Sequence, residues 1–452
     1  MGRTGRELPA REATGIAADR SRPTRRRTGR RPLWLPGLLA VIALLSGCTA
    51  TGAASSALGS LASSGQVTVS SSVIAAPATA SAPATTGTAS GTPSTTPPPP
   101  PPPPPLAAVS ATPADGAVGV DPLAPFGVAV TGGTLESVRL VNAAGEEIPL
   151  AGTLAADLRS WTAATELGYG KTYTISSSAR NIAGELTPST SSFTTVLPNN
   201  KTAASSFPTD GMTVGVAQPI AVVFDEPITD RAAAERAITV TTAPAQVGGF
   251  RWITEREVRW RPQSFWPAGT TVAVTVDIYG KDLGDGVYGQ QDLAFGFTIG
   301  RAMVAEIDDN TKTMTVWQDG QQINSIPVSL GSNKYPTYNG VHVVAEKYQS
   351  KIMDSSTWGL TGVGAYRTEV GWATRISSSG EFVHAAPWSL DAQGVENVSH
   401  GCVNVSTDAA IWFYDTFIPG DPVTIKNTVG PPLEVWDGYG DFQLSFEDYI
   451  GA

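Results

Sequence analysis

Residues 397–406 read NVSHGCVNVS and place His400 two positions before Cys402. The chain has 452 residues but only three histidines and two cysteines, so this short segment concentrates its scarcest side chains. The TDAAIWFYD that comes next has the spacing of a short helix with one buried face, and either Ser406 or Thr407 can cap it. We therefore predict that Cys402 lies on a loop just ahead of a helix N-terminus, where the helix dipole favours a thiolate.

Outside this segment, composition and charge restrict the class of protein. Glycine and proline are plentiful, with 47 and 35 residues, and only 15% of residues are charged, which favours a mainly β protein with a disordered portion. Ten of the 30 basic residues but only three of the 40 acidic ones lie within residues 1–31, so the remainder is strongly acidic. An acidic surface repels phosphate backbones, and we predict no nucleic-acid binding.

The N-terminus has the pattern of an export signal. Residues 22–31 read RPTRRRTGRR and precede an apolar run from Leu33 to Leu45, which is too short for a permanent membrane span. The run ends in LSGC, which resembles the lipobox of bacterial lipoproteins and implies lipid on Cys48. We therefore predict that residues 1–47 are a signal peptide, and that the protein is exported and lipid-anchored on the outer face of the cytoplasmic membrane, facing the cell wall. A plain signal peptide stays an alternative, and both the Sec and twin-arginine export routes stay open.

Residues 48–106 consist mainly of Ala, Ser, Thr, Gly and Pro, with nine consecutive prolines at 97–105. Such a stretch buries too little apolar surface to offset its ordering entropy, so we predict a disordered linker. The proline run alone favours a polyproline II rod of roughly 28 Å, at ~3.1 Å per residue. A linker of this kind holds a folded portion away from a membrane.

Two related segments follow the linker. TPADGAVGVDPLAPFGVAV (112–130) aligns with FPTDGMTVGVAQPIAVVF (207–224), so that Pro113 recurs as Pro208 about 95 residues later. Short alternating strands separated by Gly, Pro and Asp turns, repeated at this length, are typical of immunoglobulin-like sandwiches. Neither segment contains Cys or His, and we interpret both as spacers or binding platforms.

All three histidines, His342, His384 and His400, fall with Cys402 in a third region, residues 300–426. An ordinary thiol has a pKa of about 8.5, so a nucleophilic cysteine needs a base or a favourable field. His400 and Cys402 are too close in an extended backbone to meet head-on, which makes His384 the better base. A zinc site of His384, His400 and Cys402, or a buried cysteine beside a packing histidine, stays open on these grounds.

His384, the fourteen residues after it, and SHGCVN (399–404) together resemble the signature of the L,D-transpeptidase (YkuD-type) catalytic domain. Further stretches resemble the actinobacterial branch of that family, which has a lipoprotein start and two immunoglobulin-like modules: MDSSTWG (353–359), YRTEVGWATRIS (366–377), FVHAAPWS (382–389) and WFYDTFIPGD (412–421). The resemblance implies a mainly β chain in which two immunoglobulin-like β-sandwich domains precede a β-rich catalytic domain with a short helix after the nucleophile. The implied bounds are 107–198 and 199–299 for the immunoglobulin-like domains, 300–426 for the catalytic domain, and 427–452 for a tail that packs on the catalytic domain.

The tail contains PPLEVWDGYGDFQLSFEDYIGA (431–452), which is aromatic and acidic. We predict that it is not helical. By the same resemblance, Trp436 or Tyr439 is expected to pack against neighbouring domains.

The resemblance also implies roles for individual residues. Cys402 is the nucleophile, and His384 is the base, oriented through the backbone carbonyl of Ala385, a position where close relatives often have Ser. The remaining implied roles are oxyanion stabilisation by Tyr366, Gly401 and His400, substrate binding by Tyr366, Ser379, Gly380, Asn404 and Ser399, and a flap carrying Met353 and Trp358.

The implied activity is the formation of 3→3 cross-links in peptidoglycan through a cysteine thioester, with release of D-Ala and without a metal or cofactor. Donor and acceptor tetrapeptide stems are the implied partners, and carbapenems are the implied inhibitors. The alternative is a non-catalytic, peptidoglycan-binding structural lipoprotein.

Overall fold

A computed structural model of the chain describes residues 101–149 and 152–451. The predicted signal peptide, Cys48 and nearly all of the predicted linker lie outside these residues, so those expectations stay predictions. Within the described ranges, no helix is both long enough and apolar enough to cross a membrane.

The first sandwich follows the prolines. Its strands are β1 (Ala108–Thr112), β2 (Ala117–Val120), β3 (Phe126–Thr131), β4 (Gly133–Asn142), β5 (Glu147–Ile148), β6 (Gly152–Leu154), β7 (Ser160–Ala163), β8 (Thr172–Asn181) and β9 (Leu186–Thr195). One sheet has the order β1-β3-β7-β6 and the other β2-β9-β8-β4-β5. Alternate residues of β3, such as Phe126 and Val128, are buried between the sheets, because successive side chains of a strand point to opposite faces.

The second sandwich has a similar architecture. Its elements are β10 (Asn200–Thr202), β11 (Ala204–Phe207), β12 (Thr213–Val214), β13 (Ile220–Phe224), α1 (Arg231–Ala237), β14 (Ile238–Ala243), β15 (Gly248–Trp252), β16 (Glu257–Pro262), β17 (Thr271–Val276), β18 (Val287–Gly289) and β19 (Leu293–Ile299). The facing sheets have the orders β11-β13-β16-β15 and β12-β19-β17-β14. Pro113 and Pro208, which the repeat places at equivalent positions, both follow cis peptide bonds.

The third region contains two further sheets and a helix. Its elements are β20 (Met303–Asp308), β21 (Thr313–Gln318), β22 (Gln321–Pro327), β23 (Gly340–Val343), β24 (Lys347–Asp354), β25 (Arg367–Arg375), β26 (Phe382–Ala385), β27 (Val403–Val405), α2 (Thr407–Thr416) and β28 (Pro422–Lys426). The sheets have the orders β22-β21-β20-β28-β23 and β24-β25-β26-β27. Val383 of β26, Val403 of β27 and Phe413 of α2 share one buried core with the first of these sheets. The predicted mainly β fold, with a short helix after Cys402, is confirmed.

The tail agrees with its prediction in one respect and differs in another. Tyr439 packs against a neighbouring domain as expected, stacking on Phe207 of the second sandwich with ring centroids 5.8 Å apart, while Trp436 is 59% exposed. The tail also contains a short helix, α3 (Phe446–Ile450), whose first turn is capped by Ser445, whereas we predicted no helix. The reason is that β15 and β16 present arginines to the tail: Arg261 lies over the rings of Phe442 and Tyr449, and Arg259 pairs with the carboxylate of Asp441.

Candidate active site

Strand pairing places His384 and Cys402 on one face of a sheet. β26 and β27 run parallel, and His384 lies opposite Asn404. Side chains alternate along a strand, so Cys402, two residues before Asn404, projects to the same face as His384. The opposite face carries Val383 and Val403 into the core. His384 and Cys402 line one cavity of about 540 Å³.

His384 is held in the form that can accept a proton. Its ring is 4% exposed, and Nδ1 lies 2.9 Å from the backbone oxygen of Ala385, the hydrogen bond expected at this position. A carbonyl oxygen only accepts, so Nδ1 carries the hydrogen and Nε2 keeps its lone pair in the neutral ring. Burial lowers the pKa of His384, and the bond to Ala385 opposes this shift only partly. The side chain is therefore a neutral imidazole at neutral pH.

Cys402 is a half-buried thiol in the resting site. Its Sγ donates to the backbone oxygen of Gly380 at 3.7 Å. Burial raises the pKa of Cys402 to about 12. The expectation that a helix dipole favours the thiolate is wrong. β27 separates Cys402 from the start of α2, and three strand residues span about 10 Å, beyond the range of a helix-terminal charge.

A network of hydroxyl groups fixes the loop before Cys402. Ser399 Oγ donates to the Cys402 backbone oxygen at 2.6 Å and accepts from the Gly401 N–H at 3.1 Å. Thr337 Oγ1 donates to the Gly401 oxygen at 2.7 Å. Gly401 has φ +119°, in the region that favours glycine. The Gly401 amide, predicted to stabilise an oxyanion, is therefore engaged by Ser399, because the tight turn directs it toward that hydroxyl.

His400 lies among aromatic rings at the mouth of the cavity. Its ring stacks on Tyr335 at 4.7 Å and contacts Tyr366 at 4.8 Å. His400 and Tyr366 both line the cavity that holds Cys402. These rings form its rim, while the buried His384 lies deeper.

The predicted substrate-binding residues divide between two cavities. Ser399 and Asn404 line the larger one, whereas Ser379 and Gly380 line a second cavity of about 370 Å³. Ser379 is held by its backbone N–H, which donates to the tail at 2.7 Å. Asn404 donates from Nδ2 to Ser389 Oγ at 3.1 Å, so its side chain is anchored beneath the site.

The predicted flap lies where the cavities meet. Met353, near the end of β24, lines both of them, as does Tyr366, directly before β25. Trp358 ends a 3-10 turn that spans Ser355–Trp358, and its side chain lies outside what the structure describes. The chain between this turn and β25 includes Val363, which is fully exposed.

Sequence reasoning missed several residues that shape the site. Trp388 stacks over His384 with ring centroids 6.1 Å apart, and Ser389 holds Asn404. Both lie in FVHAAPWS (382–389), whose resemblance to the family could have indicated a role for them in the site. Thr337, which binds the Gly401 carbonyl, lies more than sixty residues earlier and carries no signal of its own.

Comparison with known proteins agrees with this geometry. Residues 302–425 match the family model of the L,D-transpeptidase catalytic domain, and residues 117–282 match that of a bacterial Ig domain. L,D-transpeptidase 2 of Mycobacterium tuberculosis is 46% identical over 343 residues, which cover 75% of this chain and 83% of that protein. The chain belongs to the L,D-transpeptidase family. This L,D-transpeptidase is accordingly an acyltransferase, as expected from the paired His384 and Cys402.

Two further relatives extend the comparison. L,D-transpeptidase 5 of Mycobacterium tuberculosis is 41% identical over 323 residues, which cover 70% of each chain. A solved structure of an L,D-transpeptidase in complex with imipenem is 36% identical, with a TM-score of 0.45, and covers 51% of this chain and 100% of that one.

Proposed function

We propose that this L,D-transpeptidase forms 3→3 cross-links between peptidoglycan stem peptides through an acyl thioester on Cys402. The observation that carries the proposal is the placement of Cys402 and His384 on one sheet face, in one cavity. A thiol beside an oriented, neutral imidazole is the arrangement that nucleophilic acyl transfer needs.

The donor stem reacts first. Nε2 of His384 takes the thiol proton as Sγ of Cys402 attacks the carbonyl carbon of the third residue, a diaminopimelate. The C–S bond forms, the C–N bond to the terminal D-Ala breaks, and His384 returns the proton to the departing amine. Because burial disfavours the free thiolate, proton transfer accompanies attack rather than preceding it.

The acceptor stem reacts second. The side-chain amine of its diaminopimelate attacks the thioester carbonyl, the new C–N bond forms, and the C–S bond breaks. The amine proton passes through His384 to the sulfur, which restores the resting site. Cavities on either side of Tyr366 and Met353 offer separate approaches for donor and acceptor.

Oxyanion stabilisation falls to groups at the cavity mouth. The backbone N–H of Cys402 and the side chains of Tyr366 and His400 are the candidates, since donors must point to where charge develops. The Gly401 N–H joins them only if it leaves Ser399 when substrate binds.

Lipid on Cys48 would anchor the enzyme on the outer face of the cytoplasmic membrane, with the linker extending it toward peptidoglycan. The basic, apolar and LSGC segments of residues 1–48 support this localisation.

The direct test incubates the full-length protein with disaccharide-tetrapeptide. Cross-linked dimers and free D-Ala are expected from the wild type, and neither is expected from Cys402→Ala. Cys48→Ser is the matched control, because it removes the other cysteine and should leave turnover in detergent solution unchanged. Dimers formed by Cys402→Ala would contradict the proposal.

Reaction with a carbapenem distinguishes an enzyme with a nucleophilic Cys402 from a non-catalytic wall-binding lipoprotein. The strained β-lactam amide of the carbapenem offers the thiol a carbonyl to acylate. Intact-mass analysis should show a single adduct that Cys402→Ser loses and Cys48→Ser keeps. Retention on peptidoglycan without any adduct would favour the structural alternative.

A further inference from the structure

A buried histidine and glutamate lie beneath the nucleophile loop and have no role in the chemistry described above. His342, on β23, is fully buried, and Glu381, directly before β26, is 6% exposed. Nε2 of His342 lies 2.8 Å from Oε2 of Glu381. Residues of this kind are rarely buried unless they are paired, and the pairing here joins the two sheets of the catalytic region.

Both ring nitrogens of His342 face acceptors. Nδ1 lies 3.2 Å from the backbone oxygen of Gly340, and Nε2 faces the carboxylate of Glu381. One hydrogen on Nδ1 and one shared between Nε2 and Oε2 satisfy both contacts. The pair as a whole then has no net charge, whichever of the two atoms holds the shared proton.

Glu381 reaches the nucleophile loop through the segment before β23. Its Oε1 accepts from the Tyr338 N–H at 2.9 Å, and the neighbouring Thr337 hydroxyl holds the Gly401 carbonyl at 2.7 Å. A side chain added at Gly401 would lie 3.9 Å from Cγ of Glu381. The carboxylate thus lies directly under the loop that precedes Cys402.

Glu381 also connects to the sulfur through its own backbone. Gly380 before it accepts from Sγ of Cys402, and Phe382 after it belongs to the apolar cluster against which Cys402 packs. An unbalanced carboxylate at this place opposes thiolate formation, as like charges do. Glu381 and Arg375 act on the thiol with opposite signs, and His384 and His400 are the titratable groups that share its cavity.

We propose that His342 and Glu381 form a charge-balanced positioning pair. Glu381 holds the Thr337–Tyr338 segment against the nucleophile loop, and His342 neutralises Glu381 so that Cys402 can lose its proton. This inference rests on the proposed role of Cys402 as the nucleophile and adds two positioning residues to it.

The test measures the rate of Cys402 alkylation by iodoacetamide in the full-length protein at neutral and mildly alkaline pH, where the rate follows the small fraction of thiolate. Mass spectrometry follows the tryptic peptide 376–426, which contains Cys402 and no other cysteine. His342→Gln should slow alkylation about tenfold, because the unbalanced carboxylate raises the pKa of Cys402 and less thiolate is present. The double variant Glu381→Gln with His342→Gln should return the rate to within about twofold of the wild type.

The double variant distinguishes charge from packing. An alkylation rate unchanged in His342→Gln, or a double variant that reacts as slowly as the single one, would overturn the proposal. If His342→Gln does not fold, recovery of folding in the double variant supports the charge-balanced pair, and failure of both overturns it. Alkylation needs no peptidoglycan, so these outcomes are independent of whether Cys402→Ala loses cross-linking.

Discussion

At the scale of single residues, the resting site holds a neutral thiol and a neutral imidazole. Burial raises the pKa of Cys402 to about 12 and lowers that of His384 from its ordinary value. Both shifts disfavour the thiolate–imidazolium pair that many cysteine enzymes use. The backbone oxygen of Ala385 fixes the tautomer, so the absence of a serine hydroxyl there leaves the orientation of the base intact.

The pH profile of turnover follows from the lowered pKa of His384. The base is lost only when His384 is protonated, so the acid limb of kcat/KM should lie below pH 6.5, the ordinary histidine value. His384→Gln should reduce kcat/KM by about 10²–10⁴-fold and remove this limb. D-Ala release measured across acidic and neutral pH checks both. A limb above 6.5, or one that persists in His384→Gln, would contradict the assignment.

At the scale of elements, the strands themselves were easier to predict than the spacing of elements and the contacts between sheets. Alternation predicted a β-rich region, and separate strands were expected to bring His384 to Cys402. Two features could not be foreseen. The three-residue strand β27 lies between Cys402 and α2. Sequence patterns do not predict strands this short, because the ends of elements are uncertain by one or two residues. The pairing of His342 with Glu381 depends on how the two sheets pack against each other. The residues around His342 and around Glu381 do not indicate this packing.

Helix α2 supports the sheet that carries His384, and its cap is testable. Ser406 Oγ accepts from the Ala409 N–H at 3.2 Å, and Phe413 of the same helix is buried in the core. Ser406→Ala should lower the free energy of unfolding by about 1 kcal/mol, because a donor of the first turn loses its partner. Ser406→Asp retains a cap and is the matched control. Chemical denaturation followed by circular dichroism measures both, and equal stabilities of the two variants would contradict the capping role.

At the scale of the whole molecule, the tail connects the second sandwich to the active site. Asp437 accepts from the N–H of Ser379 at 2.7 Å, on the loop that leads to Gly380 and Glu381. Further along, Arg261 is 1% exposed and lies over the rings of Phe442, Phe446 and Tyr449. The contacts of Arg261 join residues more than 180 positions apart, so the composition of the tail and the family resemblance predicted an aromatic tail that packs but not its partners.

A buried ion pair of Arg259 and Asp441 links the tail to the second sandwich. Arg259 Nη1 lies 3.0 Å from Asp441 Oδ2, and the Tyr449 hydroxyl donates to Asp441 Oδ1 at 2.9 Å. Asp441→Ala should lower the free energy of unfolding by about 3 kcal/mol, since it leaves a buried guanidinium with Glu257 as its remaining carboxylate. Glu306→Ala is the control, because the Glu306–Lys426 pair is exposed on both sides and should contribute less than about 1 kcal/mol. Chemical denaturation of the full-length variants measures the difference. If Asp441→Ala were no more destabilising than Glu306→Ala, the tail would be held by its aromatic contacts and not by this ion pair.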